Sequence, residues 1–239
     1  MQNNGAGDAL QVYVDNFIVS PNPKDTSGNN NVGTLKNGVT SLINSGKFPY
    51  TNTLNFNGYN GYVTTVIPAL KQPLFDSQFT VEFWAKLNAQ PASSAQSVFV
   101  SQLTSTGGQQ VLYDSYGNII GSFRTSTGSE YMSLINSPLS NNQWYHIAFT
   151  YQDDGTSAAT KLYLDGQLRD TDNHANKIKG SAANSLFFIG SNKDGAYIGY
   201  PGTRELNGTI DELNIYNRVL TDQEILNRYN SNTRCTDYS

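Results

Sequence analysis

The sequence predicts an all-β fold, in which two antiparallel sheets form a sandwich and a short helix follows them near the C-terminus. Three observations support this class. Short runs of residues alternate between apolar and polar side chains, as strands with one buried face do. Turn dipeptides separate these runs, among them Asn37-Gly38, Asn57-Gly58, Asn60-Gly61 and Asp165-Gly166. A helix-capping pattern begins at Thr221, after the last run.

About a dozen runs have the composition and alternation of strands, because Val, Ile, Tyr, Phe and Thr are frequent in them. One open sheet rarely holds so many strands, so we expect two packed layers. The predicted strands are 10–19, 53–56, 62–67, 79–87, 97–103, 109–113, 118–124, 131–135, 144–151, 161–164, 185–190 and 207–216.

Two long runs indicate which side chains face the core. In the run 79–87 every odd position is apolar, so the odd positions are predicted to form the core face. The even positions, which include Glu82 and Trp84, then face outward. In the run 144–151 the same alternation places the odd positions inward and His146 outward.

One stretch, 221–229, predicts a helix. Thr221 is a favourable cap residue, and Glu224 three positions later completes a capping box. Ile225 and Tyr229 stand four positions apart and therefore share one helix face. We expect this apolar face to dock on the edge of the sandwich.

The whole chain, residues 1–239, is predicted to be one domain with a core at about 10–230 and a loose tail at 231–239. No repeat at a fixed period and no low-complexity linker divides it. Sandwiches of this length occur as single units.

Composition excludes some partners. Only 14% of the residues are charged and the net charge is −4, so no basic surface attracts phosphate, and we expect no nucleic-acid partner. No run of about 18 apolar residues occurs, so we expect no membrane insertion, and no signal-peptide pattern is visible. Much of the polarity comes from Asn, Ser, Thr and Gly, which suits an extracellular, virion or cell-surface setting. The single cysteine allows no internal disulfide.

Several short motifs follow one another in a characteristic order. They are DTSGNNNVG at 25–33, LNFNG at 54–58, FTVEFWAK at 79–86, NQWYHIA at 142–148, KLYLDG at 161–166, FIG at 188–190 and LNGTIDELNIYNRVL at 206–220. In this order they resemble the laminin G-like (LamG) jelly-roll domain of the concanavalin A-like lectin/glucanase superfamily. The resemblance implies a concanavalin A-like jelly roll over about 10–230. It leaves the function open, because this sandwich serves lectins, adhesion modules, glycoside hydrolases and inert spacers.

The first candidate site is a structural calcium site. Calcium takes six to eight oxygen ligands, and the loop that begins at Asp25 is rich in Asp, Asn and Ser. The resemblance implies an ion that pins this loop to the last strand, with Asp25, Asn31 and Asp211 as ligands and Asn29 as a substitute. The alternative is an Asx turn beside a hydrogen-bonded strand aspartate.

The second candidate is a carbohydrate-binding face that comprises Trp84, Glu82, His146 and Tyr163. Sugar rings stack their C–H faces on aromatic rings, and their hydroxyls need planar polar partners. The alternative is that a loop or the terminal helix covers Trp84, and that His146 is a packing residue.

No catalytic pair is evident, so we expect no enzyme activity. The Glu-x-Asp-x-x-Glu pattern of the superfamily's laminarinase-like hydrolases is missing. Asp211 and Glu212 are adjacent and should point to opposite faces, and Glu82 has no acidic neighbour two positions away.

Three functions remain. The leading hypothesis is a non-catalytic recognition or adhesion module that binds a glycan or a surface protein. The alternative is a structural protein in a larger assembly, such as a viral capsid, fibre or surface layer, with no glycan ligand. A glycoside hydrolase or polysaccharide lyase is the third.

Overall fold

The computed structural model describes residues 33–42, 46–47, 53–66, 77–103, 107–178, 186–192 and 204–231. Within these ranges the chain forms strands followed by one short helix, which confirms the predicted fold class. The strands are β1 (Gly33–Lys36), β2 (Thr40–Leu42), β3 (Thr53–Asn57), β4 (Tyr62–Val66), β5 (Gln78–Leu87), β6 (Gln96–Ser101), β7 (Gly108–Asp114), β8 (Asn118–Arg124), β9 (Glu130–Asn136), β10 (Trp144–Asp153), β11 (Ala158–Leu164), β12 (Gln167–His174), β13 (Leu186–Ile189) and β14 (Asn207–Tyr216). The helix is α1 (Asp222–Asn230). The strand predicted at 10–19 and the tail from 232 onward lie outside the described residues.

The strands form two antiparallel sheets of seven strands each. Sheet I has the order β1-β4-β13-β6-β7-β8-β9, and sheet II has the order β12-β11-β10-β5-β14-β3-β2. Strand β5 lies at the centre of sheet II, where Trp84 is opposite His146 of β10 on one side and Asp211 of β14 on the other. Residues at these registers share a face of the sheet.

The main core lies between the two sheets and contains the apolar odd positions of β5 and β10. Aromatic rings join the layers: Phe83 of sheet II lies 5.3 Å from Phe99 of sheet I, and Phe123 of sheet I lies 5.1 Å from Tyr151 of sheet II. The predicted core faces are therefore confirmed, and the even positions of β5 form the outer face of sheet II.

Three strands escaped prediction because their sequences lack the apolar alternation. Strand β12 has one large aliphatic residue, Leu168, and pairs with β11 alone at the edge of sheet II. Strands β1 and β2 flank the Asn37-Gly38 turn, where both residues have positive φ. This turn does not close a hairpin, because β1 belongs to sheet I and β2 to sheet II.

Helix α1 begins as predicted, since Thr221 and Glu224 form a reciprocal capping box. Its position differs from the prediction: it lies on the outer face of sheet II instead of at an edge. The reason is a second apolar cluster on that face, in which Ile225 and Leu220 pack against Ala148, Tyr163 and Tyr216. Among the described residues, no helix is long and apolar enough to span a membrane.

Candidate functional site

Glu82 is the centre of a buried polar cluster between β5 and α1. Its side chain is almost inaccessible, with the whole residue 1% exposed. One carboxylate oxygen accepts hydrogen bonds from Arg228 Nε of the helix, from the Tyr216 hydroxyl at 3.0 Å and from the Asn214 amide at 3.3 Å. The other oxygen lies 3.5 Å from His146 Nε2. The cluster ties the helix to the sheet electrostatically.

Trp84, two positions along β5, is covered from two directions. The Tyr229 ring of α1 stacks on its indole at 5.6 Å with an interplanar angle of 22°. His146 lies 5.3 Å from the same indole, and Lys47 places its ammonium 4.7 Å from the ring centroid. Gly166 allows this packing, because a Cβ at that position would lie 2.8 Å from Tyr229 Cβ.

Tyr163 is fully buried beneath the start of the helix. Its hydroxyl donates a hydrogen bond to Asp222 Oδ1 at 2.8 Å. Burial, together with the hydrogen bond to Asp222, raises the pKa of Tyr163 well above its usual value, so the hydroxyl remains a donor.

The structure thus brings the predicted ligand residues onto one face and covers them with the helix. None of Glu82, Trp84, His146 and Tyr163 is more than 5% exposed. With the helix docked, a saccharide cannot contact these four side chains. The covering of Trp84 by the terminal helix, which was the alternative interpretation, is the observed arrangement.

The same sheet face remains open on the side where the helix begins. There a groove of about 620 Å³ lies between the sheet and the segment that leads into α1. Gln78 and Gln152 lie directly opposite each other on β5 and β10, and Lys161 follows on β11. The lining residues are Gln78, Gln152, Lys161, Arg218, Val219, Leu220, Thr221, Asp222 and Gln223. Sequence analysis missed this groove, because the predicted strand began at residue 79 and so left out Gln78.

The charged side chains of the groove are held in place by ion pairs and hydrogen bonds with adjacent residues. Lys161 Nζ lies 2.9 Å from Asp222 Oδ1, and the hydrogen bonds from Lys161 and Tyr163 lower the pKa of Asp222. Arg218 makes two hydrogen bonds to Glu224, at 3.0 and 2.8 Å. The groove therefore offers cationic, anionic and amide groups in fixed positions, which is a surface suited to hydroxyl-rich ligands.

Acid is expected to weaken the docking of the helix. The hydrogen bonds from Arg218 lower the pKa of Glu224 to about 2 from its usual 4.5. Burial acts to raise the pKa of Glu82, but His146 and Arg228 outweigh it and the pKa is lowered. A carboxyl group with a lowered folded-state pKa stabilises the fold above its unfolded pKa and loses that contribution as pH falls toward the folded value.

We therefore predict that the urea midpoint of unfolding falls as pH is lowered from 4.5 toward 2. The Glu224→Gln variant removes one of the carboxyl groups with a lowered pKa, so its midpoint should depend less on pH over this interval. A wild-type midpoint that stays constant across the interval would contradict the prediction.

Of the predicted calcium ligands, only Asp211 lies in the described part of the chain. Its carboxylate is buried and accepts the Lys47 N–H at 2.8 Å and the Glu212 N–H at 3.0 Å. The other predicted ligands are Asp25, Asn29 and Asn31, and they lie outside the described residues. Across the described ranges, no group of three or more His, Cys, Asp or Glu side chains is arranged to hold a metal. Asp211 thus ties an N-terminal segment to the last strand by a hydrogen bond, and calcium remains a prediction.

The arrangement of Asp211 and Glu212 is less simple than strict alternation. A β-bulge lies between Asp211 and Asn214, and Glu212 has a positive φ of 49°. The bulge shifts the alternation by one residue, so that Asp211 and Asn214, three positions apart, both lie on the outer face beside Trp84 and Glu82.

Comparison with protein families gives one match over most of the chain. The model Laminin_G_3, of the concanavalin A-like lectin/glucanases superfamily, matches residues 57–226. One curated relative is the sushi, von Willebrand factor type A, EGF and pentraxin domain-containing protein 1 of Rattus norvegicus, with 28% identity over 82 residues. That match covers 34% of this chain and 2% of the relative.

Solved structures with the same architecture include receptor-binding domains of botulinum neurotoxins. The C/D mosaic domain has a TM-score of 0.72 and 17% identity, covering 92% of this chain and 51% of its own. A botulinum neurotoxin DC binding domain described in complex with SialylT has a TM-score of 0.70 and 16% identity, covering 94% and 52%. A structure of botulinum neurotoxin type C, whose cell entry is described as dependent on two ganglioside molecules, has a TM-score of 0.71 and 17% identity. It covers 94% of this chain and 52% of its own. The chain thus spans about half of each toxin chain, and the likeness is one of fold.

Proposed function

The chain belongs to the concanavalin A-like lectin/glucanase superfamily, and we propose that it is a non-catalytic module that binds a glycan at an extracellular or particle surface. The observation that carries this proposal is the open groove at the end of the outer face of sheet II. Its volume of about 620 Å³ lies within the range of roughly 300–1,000 Å³ that is usual for small-ligand sites.

The chemistry of the groove suits saccharide hydroxyls. Each hydroxyl donates one hydrogen bond and accepts others, and the paired amides of Gln78 and Gln152 offer both functions side by side. Lys161 adds donors and Asp222 adds acceptors at the same place. The toxin binding domains of similar fold, one in complex with SialylT and one whose toxin depends on two ganglioside molecules for cell entry, support a glycan as the ligand class.

We propose no catalytic role, because Glu82, the carboxylate at the centre of the outer face, already accepts hydrogen bonds from Arg228 and Tyr216. Glu82 is buried under the helix and bonded to Arg228, so it has neither access to a glycosidic bond nor the raised pKa of a general acid. We expect no hydrolysis of β-glucans, alginate or sialosides. Turnover that is lost in Glu82→Gln would overturn this part of the proposal.

A glycan array with the purified chain tests the function. We expect binding by the wild type, and affinity about tenfold lower in a Gln78→Ala, Gln152→Ala double variant, because two neutral hydrogen bonds are lost. The matched control is Gln167→Ala, an exposed amide on β12 outside the groove, which should bind like the wild type. Absence of binding to any glycan, with assembly into particles instead, would favour the structural alternative.

We also propose that calcium joins Asp25, Asn29 and Asn31 to Asp211 and stabilises the fold. An ion bound only by the folded state adds about 2.7 kcal/mol when it is present at a hundredfold above its Kd. Removal of metal should therefore lower Tm by several degrees, at about 2–4 °C per kcal/mol. Asp211→Asn should abolish most of the difference between calcium and EDTA. Identical melting curves of the stripped protein in calcium and in EDTA would contradict the proposal.

A further inference from the structure

The open groove continues as a polar strip over the outer face of sheet II, and we propose that this strip binds an extended oligosaccharide of three or more sugar units, laid across the strands. The strip consists of Gln78 on β5, Gln152 on β10, Ala159 on β11 and Asn173 on β12. The inference rests on the proposed glycan-binding function and specifies the length and the direction of the ligand.

The four residues of the strip form one row. Gln78 lies opposite Gln152. Gln152 lies opposite Ala159, which in turn lies opposite Asn173. Directly opposite residues share a face of the sheet, so the row crosses all four strands on that face. Because adjacent strands lie about 4.8 Å apart, the row is about 14 Å long.

Core contacts establish that the row faces outward. Ala158, which precedes Ala159, belongs to the main core. His174, which follows Asn173, lies 5.2 Å from the core ring of Phe123. Because successive residues of a strand point to opposite faces, Ala159 and Asn173 point away from the core. The three amide residues of the strip are exposed, and the alanine between them is half-buried.

The spacing of the row suits a sugar chain. A hexose unit in an extended β-1,4-linked chain is close in length to the spacing between neighbouring strands, so successive units can lie over successive strands. The amides of Gln78, Gln152 and Asn173 each offer donors and an acceptor to sugar hydroxyls. Ala159 has a side chain of one carbon, which leaves room for the sugar ring that crosses β11. A single terminal sugar could not reach the amides at both ends of the row.

The helix bounds the strip on one side. Lys161 lies two positions after Ala159 on β11 and shares its face. The Lys161 ammonium is 2.9 Å from Asp222 Oδ1, in the first turn of α1. The next outward residue of β11 is Tyr163, which packs under the helix and donates its hydroxyl to Asp222. A chain that enters the groove can therefore extend across the strands, toward Asn173, but not along them under α1.

Hydrogen bonds must supply most of the affinity of the strip. None of its four residues is aromatic, and neither is any residue that lines the groove. A single neutral hydrogen bond contributes little in water, because the same groups also bond to the solvent. Affinity should therefore rise with each sugar unit that reaches a further strand and level off when the row is filled.

NMR titration of the full chain with cello- and chito-oligosaccharides of two to six units tests the inference. We expect affinity to rise about tenfold from two units to four and to stay level from four to six. Asn173→Ala should weaken binding of the four-unit chains about fivefold and leave the two-unit chains unaffected, because these end in the groove before β12. The matched control is Gln167→Ala, an exposed amide at the other end of β12, which should bind every length like the wild type.

The outcomes separate this inference from the proposed function, with lactose and sialyllactose as short glycans for comparison. Equal affinity for two-unit and six-unit chains would overturn the strip and leave the groove as a site for a short glycan. Binding of lactose or sialyllactose without binding of the chains would do the same. Unchanged affinity of Asn173→Ala for four-unit chains would overturn the course of the ligand over β12. Absence of binding to every one of these glycans would overturn both the strip and the proposed function.

Discussion

Replacement of Glu82 by alanine is expected to lower the free energy of unfolding by about 3–5 kcal/mol, the usual cost of breaking a buried ion pair from one side. The carboxylate is the shared acceptor of Arg228, Tyr216 and Asn214 beneath the helix. Its removal takes the Glu82 carboxylate away from the largely buried Arg228 guanidinium. Urea unfolding measures the loss, and Tm should fall by about 2–4 °C per kcal/mol.

The matched control is the exposed ion pair between Glu224 of the same helix and Arg218 of the segment before it. Glu224 and Arg218 are 39% and 44% exposed, so Glu224→Gln should cost no more than about 1 kcal/mol near neutral pH. Equal losses in the two variants would mean that the buried cluster contributes no more than a surface pair, and that the helix is held by its apolar contacts alone.

The second large effect is expected at Gly190, in the turn after β13. Its φ is +81°, and a Cβ there would lie 2.2 Å from the Phe56 ring, which is buried in the core. Gly190→Ala combines left-handed strain with overpacking, and together these should cost about 2–5 kcal/mol. Because the Gly190 carbonyl accepts the Leu206 N–H at 2.9 Å, the substitution should also disturb the segment that carries Glu205.

Gly155 separates the two contributions. Its φ is +98°, yet a Cβ there would meet nothing within 4 Å. Gly155→Ala should therefore cost only the strain, about 1–2 kcal/mol. If Gly190→Ala were no more destabilising than Gly155→Ala in urea, the close packing of the turn on Phe56 would not limit the residue at position 190.

The sequence predicted the core faces because a strand has a strict period of two. Alternation in β5 and β10 separates Phe83 and Phe149 from Glu82 and His146 without knowledge of the partner layers. The capping box at Thr221 was equally local and was confirmed. Strand β12 was not predictable in this way, since an edge strand with polar side chains on both faces has no hydrophobic period.

The candidate site was harder to predict, because alternation tells which residues face outward but not what covers them. Ala148, Tyr163 and Tyr216 are apolar or aromatic side chains on the outer face of sheet II, and they form the seat of the helix. Several such residues on a sheet face that is expected to be exposed to solvent indicate that another element packs on that face. Tyr163 was predicted to contact the ligand, whereas in the structure it packs against the helix.

Hydrogen–deuterium exchange with and without glycan tests the central claim most directly, namely that the protein binds glycans at the open parts of the sandwich while α1 stays docked over Trp84. Lactose and sialyllactose serve as ligands. We predict slower exchange at the strand ends around Gln78 and Gln152 and at the start of α1 beside Asp222, with exchange in the part of α1 that covers Trp84 unchanged. Faster exchange in α1 together with protection around Trp84 would show that the helix opens to admit the ligand. That result, or the absence of protection with either glycan, would contradict the account.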